Sequence, residues 1–338
     1  MKKYLLAGCI LISLFAFRNN GRDKSRSAEI KTAISKSLSL LQSSSHIFLI
    51  NAPVVATCHS CHNNALSLVT FSIAKENGFS VSDTIIKEAI DSTMNWWNSE
   101  IYQQALPEND DPIATVMFGN YDLWGLSAIG YKSNKSVELL ARNIMRKQTF
   151  DGSWVSPGQR PPLEYYSFSA TALSVKNMQV YMPSILHNEV EQRMEAARSW
   201  LLHNKPDANE EKVFQLLGLI WSHADKTIIE QLGKKLLAAQ HGDGGWSQLD
   251  SLPTDAYATG QCLYALNQAG ILMITSPAYQ KGVDFLLRTQ YPDGSWKVTT
   301  RSYPFQSPVN GGFPHEKDQF ISAAGSNWAT MALIPASK

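Results

Sequence analysis

Charge is what this chain has least of. Asp, Glu, Lys and Arg make up 17% of its 338 residues, the formal net charge is +1, and no long run of one sign occurs. Nucleic acid, which calls for a concentrated basic surface, is therefore not an expected partner. Strand-like alternation is nearly missing too, which leaves an all-α chain. Cysteine is scarce: Cys9 falls in an N-terminal apolar run and Cys262 in an apolar helical stretch, "GQCLYAL", so Cys58 and Cys61 are the close pair. What the chain has in quantity is apolar and aromatic surface, 44% hydrophobic residues with 9 Trp, 12 Tyr and 13 Phe. Over this length that supports a sizeable core, in one large domain or two small ones.

The apolar run Tyr4–Phe17, "YLLAGCILISLFAF", follows Lys2 and Lys3 and precedes the polar "RNNGRDKSRS". It is short for a membrane span and reads as an export signal. Residues 1–22 are thus expected to be a signal or an N-terminal anchor, and the protein to be exported, either periplasmic or membrane-associated through residues 4–17. Leu6-Ala7-Gly8-Cys9 has the composition of a lipoprotein cleavage box, but most of the apolar stretch lies after Cys9, against the usual order.

Three segments repeat: "QTFDGSW" (Gln148–Trp154), "QHGDGGW" (Gln240–Trp246) and "QYPDGSW" (Gln290–Trp296). Each follows an apolar, helix-like stretch and precedes a helix-like stretch with Ala-Thr, at Ala170-Thr171, Ala258-Thr259 and Ala329-Thr330. An earlier stretch, "PIATVMFGNYDLWGLSAIGY", has Ala114-Thr115 without the preceding motif. Asp-Gly supplies a turn in which Gly adopts positive φ, Gln bonds exposed backbone at a helix end, and Trp packs a large face on the next hairpin. Stacked helix–turn–helix units are the expected result.

These segments resemble the QW repeats of the squalene/oxidosqualene cyclase and protein prenyltransferase superfamily. The resemblance covers roughly residues 30 to 335, and "GGFPHEKDQFISAAGSNWATMAL" looks like the closing helices of such proteins. It implies that residues 23–338 form a single α/α toroid of stacked helical hairpins. The family's chemistry carries over less well. The D-x-D-D-T-A acid motif of class II cyclases meets "DAYATG" here, placing Asp255 on its first Asp, Tyr257 on the proton donor and Ala258 on the last Asp. A tyrosine, with a pKa near 10, does not protonate an unactivated alkene. The zinc-binding D-x-Y-H-T of the prenyltransferases meets "DAYAT", where Ala258 replaces the histidine. Three other carboxylates remain as candidate acids. Asp255 is expected to cap its helix. Glu164 stands with Arg160 around a Pro-Pro turn, as a mouth-facing pair or a loop ion pair, and Asp318 lies near a helix start beside His315.

One motif lies outside the repeats. Residues 56–65, "ATCHSCHNNA", put Cys58, Cys61 and His62 in the C-x-x-C-H order of covalent c-type haem attachment. Two thiols at that spacing take the two vinyl groups, and the next histidine reaches the iron. Such attachment occurs outside the cytoplasm, in agreement with the export signal. Some exported bacterial proteins with squalene-cyclase-like repeats look similar, with a C-x-S-C-H segment early in the ring. Haem c is the expected cofactor, His62 the iron ligand, and His315, Met117 or Met94 the candidates for a second ligand, an open site being the alternative. A Cys58–Cys61 disulfide, redox-active thiols, a zinc site or inert helix residues are the competing readings. No second C-x-x-C is present to complete a zinc site. The expected role is electron transfer or redox chemistry with a redox partner, possible also on a hydrophobic ligand in the ring. The alternatives are a divergent isoprenoid-processing enzyme without haem and a binding scaffold.

Overall fold

The computed structural model describes residues 5–55, 61–108, 115–156, 158, 160–303 and 309–338, with side chains from Lys24 to Ala52 in the first of these segments. The lipoprotein-like box around Cys9, together with Cys58 and His59, lies outside the described side chains.

Helices dominate, as expected. They are α1 (Leu5–Val55), α2 (Leu66–Glu76), α3 (Asp83–Trp97), α4 (Glu100–Ala105), α5 (Thr115–Ala128), α6 (Lys135–Arg146), α7 (Ser167–Tyr181), α8 (His187–His203), α9 (Asn209–Trp221), α10 (Lys226–Ala238), α11 (Ala256–Gln268), α12 (Pro277–Thr289) and α13 (Gln319–Leu333). Among the described residues the strands are β1 (Trp246–Ser247) and β2 (Thr254–Asp255), which pair antiparallel with Trp246 opposite Asp255. No helix in the described residues is long and apolar enough to cross a membrane.

The helices form two concentric layers. In the inner one, α2, α5, α7, α9, α11 and α13 each pack on the next, and α13 returns to α2. Outside them lie α1, α3, α6, α8, α10 and α12, and the whole is the expected α/α toroid. Sequence separates the layers. Outer α6 buries Val137, Leu140, Ala141, Ile144 and Met145, one stripe at helical spacing, while inner α13 is buried at every position from Ile321 to Leu333. Caps fix where helices start: Asn134 accepts from Ser136 N and Val137 N, Asp225 from Thr227 N, and Ser276 from Tyr279 N just ahead of Pro277.

The three QW turns do the same work three times. Each Trp indole donates to a carbonyl ten residues earlier: Trp154 to Ile144 (2.6 Å), Trp246 to Leu236 (2.9 Å) and Trp296 to Leu286 (2.8 Å). Each Gln amide spans its own turn and the next outer helix. Gln148 reaches Gly152 O and Arg193 O, Gln240 reaches Gly244 O and Ala278 O, and Gln290 reaches Gly294 O and Ala33 O. The turn glycines have φ of +94° at Gly152, +94° at Gly244 and +91° at Gly294. A Cβ on Gly244 would stand 2.3 Å from Lys281 O, so the site needs glycine for room as well as for φ.

The third turn differs from the other two in one detail. Trp154 N and Trp246 N donate to the hydroxyls of Thr171 and Thr259, the threonines of the Ala-Thr pairs. Trp296 N instead uses Ser326, one helical turn before Thr330, and the Thr330 hydroxyl is shared between Ser37 and Ser326 O. The α8–α9 hairpin has no QW turn at all.

Candidate functional site

A ring of inner helices that is buried on all sides should hold little but hydrocarbon. This one holds a carboxyl. Glu210, in the first turn of α9, is 2% exposed, and its Oε2 accepts from the Tyr257 hydroxyl (2.9 Å) and from Gln261 Nε2 (2.6 Å), both on α11. Glu210 Oε1 and Gln261 Oε1 are buried without a partner among the described residues. Burial drives the Glu210 pKa up to about 8, against the lowering effect of Gln261, Tyr257 and Arg301.

Tyr121 on α5 is buried and its hydroxyl is unpartnered among the described residues. Its pKa is raised well above the ordinary value by burial and then by the charges of Glu210, Cys61 and Glu164. Helices α5 and α9 both pack on α7, and Tyr121 lies near enough to Glu210 for the charge of the one to act on the other. Trp328 of α13 closes the other side, its indole against the Tyr257 hydroxyl. Its ring meets Tyr264 at 5.5 Å, Trp124 at 5.8 Å and Phe214 at 6.3 Å, so an aromatic wall adjoins the carboxyl.

The candidates read from sequence are placed as follows. Asp255 caps α11 as expected: Oδ1 accepts from Ala258 N (2.9 Å) and Oδ2 from Gln248 Nε2 (2.8 Å), and burial raises its pKa to about 6. Glu164 is an ion-pair partner, Oε2 lying 3.3 Å from Arg160 Nη1 with its side chain 2% exposed. Asp318 Oδ1 accepts from Thr300 N (2.9 Å), with Lys297 Nζ 3.9 Å from Oδ2. His315, at φ +81°, shares a 2.8 Å hydrogen bond through Nε2 with Ser295 inside the third QW turn. Met94 is buried beside Trp97 and Tyr102, and Met117 Sδ packs against Gly158. Cys262 donates to Asn209 Oδ1 at 3.1 Å.

Cys61 and His62 open a short π-helical turn, Cys61–Ala65, that leads into α2. A π turn frees carbonyls, and here Asn327 of α13 takes up that of His62 at 3.2 Å while Thr70 donates to Asn327 Oδ1. Asn64 bonds Ser45 of α1 and Asn63 accepts from Ser44. The His62 imidazole meets Phe320 edge-on at 5.5 Å and Phe48 at 6.2 Å, with Nδ1 buried and unpartnered among the described residues. Desolvation, aided by the Arg160 charge, lowers its pKa to about 3, so the ring is neutral.

Glu210 was not among the sequence-derived candidates. In "NEEKVF" two adjacent acids at a helix start read as dipole partners; only Glu211 has that role, accepting from Asp207 N and Ala208 N.

Comparison with known proteins agrees with this architecture. No family model matches the chain. A 109-residue stretch is 32% identical to lanosterol synthase of Candida albicans, spanning 32% of this chain and 14% of that enzyme. Among solved structures, a single-site variant of the type II terpene cyclase MstE from Scytonema, with its product merosterolic acid A, superposes with a TM-score of 0.57 at 13% identity over 93% of this chain and 98% of that one. Another MstE variant, bound to its substrate geranylgeranyl dihydroxybenzoate, gives 0.51 at 14% identity over 90% and 98%. At such identities the shared property is the toroid fold.

Proposed function

We propose that the protein admits a hydrophobic, isoprenoid-like small molecule into its toroid and acts on it by proton transfer from Glu210. The observation that carries this reading is the pairing of a buried carboxyl, held by Tyr257 and Gln261, with an aromatic wall inside the ring. Oε2 accepts from two donors and Oε1 is buried without a partner among the described residues, so a proton on this carboxyl belongs on Oε1. When that proton leaves, Tyr257 and Gln261 are already aimed at the carboxylate, and Arg301 adds positive charge. The rings of Trp328, Trp124 and Phe214 offer π-faces to positive charge developing on the ligand. Tyr257 occupies the place of the cyclase acid in "DAYATG", and Glu210 supplies a carboxyl to its hydroxyl from the neighbouring helix. The test is incubation with polyprenyl epoxides and other oxygen-bearing isoprenoids of several lengths, whose oxygen a weak acid can protonate where an unactivated alkene is out of its reach, followed by gas chromatography and mass spectrometry. Wild type is expected to bind and convert at least one, and Glu210→Gln to bind without conversion. Equal turnover by the variant removes Glu210 as the acid, and failure of every ligand to bind overturns the reading.

A second reading has its own observation: a neutral, buried imidazole directly after Cys61 on one wall of the same ring. C-type attachment needs two thiols to form thioethers with the haem vinyl groups and a neutral imidazole to ligate the iron, so Cys58, Cys61 and His62 would hold the group, which when bound would supply one-electron redox chemistry. His315 does not fit as second ligand while Ser295 occupies its Nε2. In this reading residues 1–22 export the chain to the compartment where attachment takes place, and a redox partner follows. Expression with the signal in a host that matures c-type cytochromes, with Cys58→Ala/Cys61→Ala alongside, decides it. A haem-sized mass gain and visible bands lost in the variant support it; a colourless, unmodified protein sinks it.

A further inference from the structure

Three inner helices, α7, α11 and α13, are each tied to the QW turn before them by a Trp N–H that donates to a hydroxyl on the helix. Helix α9, which carries Glu210, has no QW turn before it. Its start is held from the next hairpin instead. Asn209 N, one residue before Glu210, donates to the backbone carbonyl of Gln248 at 3.0 Å. The Gln248 side chain, from a residue 3% exposed, donates through Nε2 to Asp255 Oδ2 (2.8 Å), the cap of α11. Its Oε1 accepts from Arg301 Nε (2.8 Å), and Arg301 Nη2 in turn reaches the Tyr166 hydroxyl at 3.4 Å ahead of α7.

We infer that Gln248 is a positioning residue for Glu210, locking the start of α9, which bears the carboxyl, to the start of α11, which bears the carboxyl's two donors. The inference rests on the reading of Glu210 given above. The repeat itself argues for it. Gln248 lies two residues beyond the second QW tryptophan; the same place after the other two holds Ser156 and Val298. A QW turn therefore closes without an amide there, and this amide serves something particular to its own hairpin. What it serves is in reach: its backbone touches the residue before Glu210, and its side chain touches the cap two residues before Tyr257.

The consequence is legible in the titration of Glu210. The groups facing it are Tyr121 on α5, Tyr166 ahead of α7, Glu211 on its own helix, Tyr257 and Gln261 on α11, and Arg301. Gln261, Tyr257 and Arg301 hold its pKa down against burial. If Gln248 sets their register, removing its side chain slackens all three and the midpoint moves up.

The experiment is pH-difference infrared spectroscopy of the full-length protein, following the carbonyl stretch of protonated carboxyls, with Glu210→Gln assigning the band. Gln248→Leu is expected to raise the Glu210 midpoint by about one pH unit, the size of shift that loss of a hydrogen bond or nearby charge brings. In a Gln261→Leu background the same substitution should shift it less, since part of its effect passes through Gln261. Should Gln248→Leu not fold, Gln248→Asn, which keeps both polar ends but withdraws them by one methylene, should give a smaller upward shift. An unchanged midpoint in a folded Gln248 variant overturns the positioning role and leaves Glu210 as the acid. A spectrum that Glu210→Gln does not alter shows Glu210 ionised, and both readings fall.

Discussion

The side-chain amide of Gln290 donates to the carbonyl of Ala33, 257 residues earlier in the chain, at 2.9 Å. This bond closes the ring. Gln148 ties its turn to α8 and Gln240 ties its turn to α12, the next outer helix in sequence each time. At the third turn the same amide finds α1 instead. Gln290→Ala leaves Ala33 O and Gly294 O without this donor, a loss of about 1–3 kcal/mol for buried polar groups. Chemical denaturation should show that loss, and limited proteolysis should cut first within α1. Equivalent cutting in Gln240→Ala would contradict a closing role specific to Gln290.

Glycine has two duties in these turns, and they can be separated from mere turn composition. Gly244→Ala places a methyl 2.3 Å from Lys281 O at a φ of +94°, so α12 must retreat. Strain and displacement together put the cost at roughly 2–4 kcal/mol. Gly242, two residues earlier in the same turn, has nothing within 4 Å of an added Cβ. Gly242→Ala should therefore stay within about 0.5 kcal/mol of wild type. Thermal unfolding of the pair checks both, and similar losses in the two variants would refute the packing argument.

Much of the fold was written in residues that repeat, and less of the site. Gln, Asp-Gly and Trp at fixed spacing announce three turns because each has a geometric duty that no other residue type performs as well. The fourth hairpin, α8–α9, has no such signature; its inner helix is held by Gln248, whose partners are distant in sequence and particular to one place. Glu210 hides for a related reason. A glutamate beside another at a helix start is ordinary on a surface, and only the closed ring shows that one caps while its neighbour is buried under Tyr257 and Gln261. His62 is the opposite case, conspicuous in C-x-x-C-H, with the structure adding that four consecutive polar or small residues after Cys61 are buried and braced by α1 and α13.

Glu210 makes stability fall with rising pH. Its carboxyl titrates near 4.5 in the unfolded chain and at about 8 in the folded protein, because burial disfavours the charge. Between those values the unfolded chain has released a proton that the folded protein keeps, so unfolding gains ground as pH rises and the effect levels off above the folded pKa. The slope approaches ~1.4 kcal/mol per pH unit if this group acts alone. Glu210→Gln removes it. Denaturation midpoints from pH 6.5 to 8, above the range in which His62 and Asp255 contribute, should decline for wild type and run flatter for the variant; parallel curves would show that Glu210 is ionised in the folded state.

His62 works on the acid side with the opposite sign. Its imidazole titrates near 6.5 when unfolded and at about 3 when folded, desolvation being the main cause and the Arg160 charge the second. Below pH 6.5 the unfolded chain takes up a proton that the buried ring refuses, so stability is full above that pH and is lost as pH falls toward 3. Replacing the ring by one that cannot be protonated but keeps the edge contacts with Phe48 and Phe320, as in His62→Phe, should remove this acid limb while leaving the decline above pH 6.5 in place. Protein made in the cytoplasm, where C-x-x-C-H is not modified, gives the clean comparison. Urea midpoints of wild type and variant at pH 4 and pH 7 suffice: stability at pH 7 relative to pH 4 should be lower in His62→Phe than in wild type, because the rise that opposes the Glu210 decline is gone, and an unchanged difference would place the acid sensitivity elsewhere in the ring.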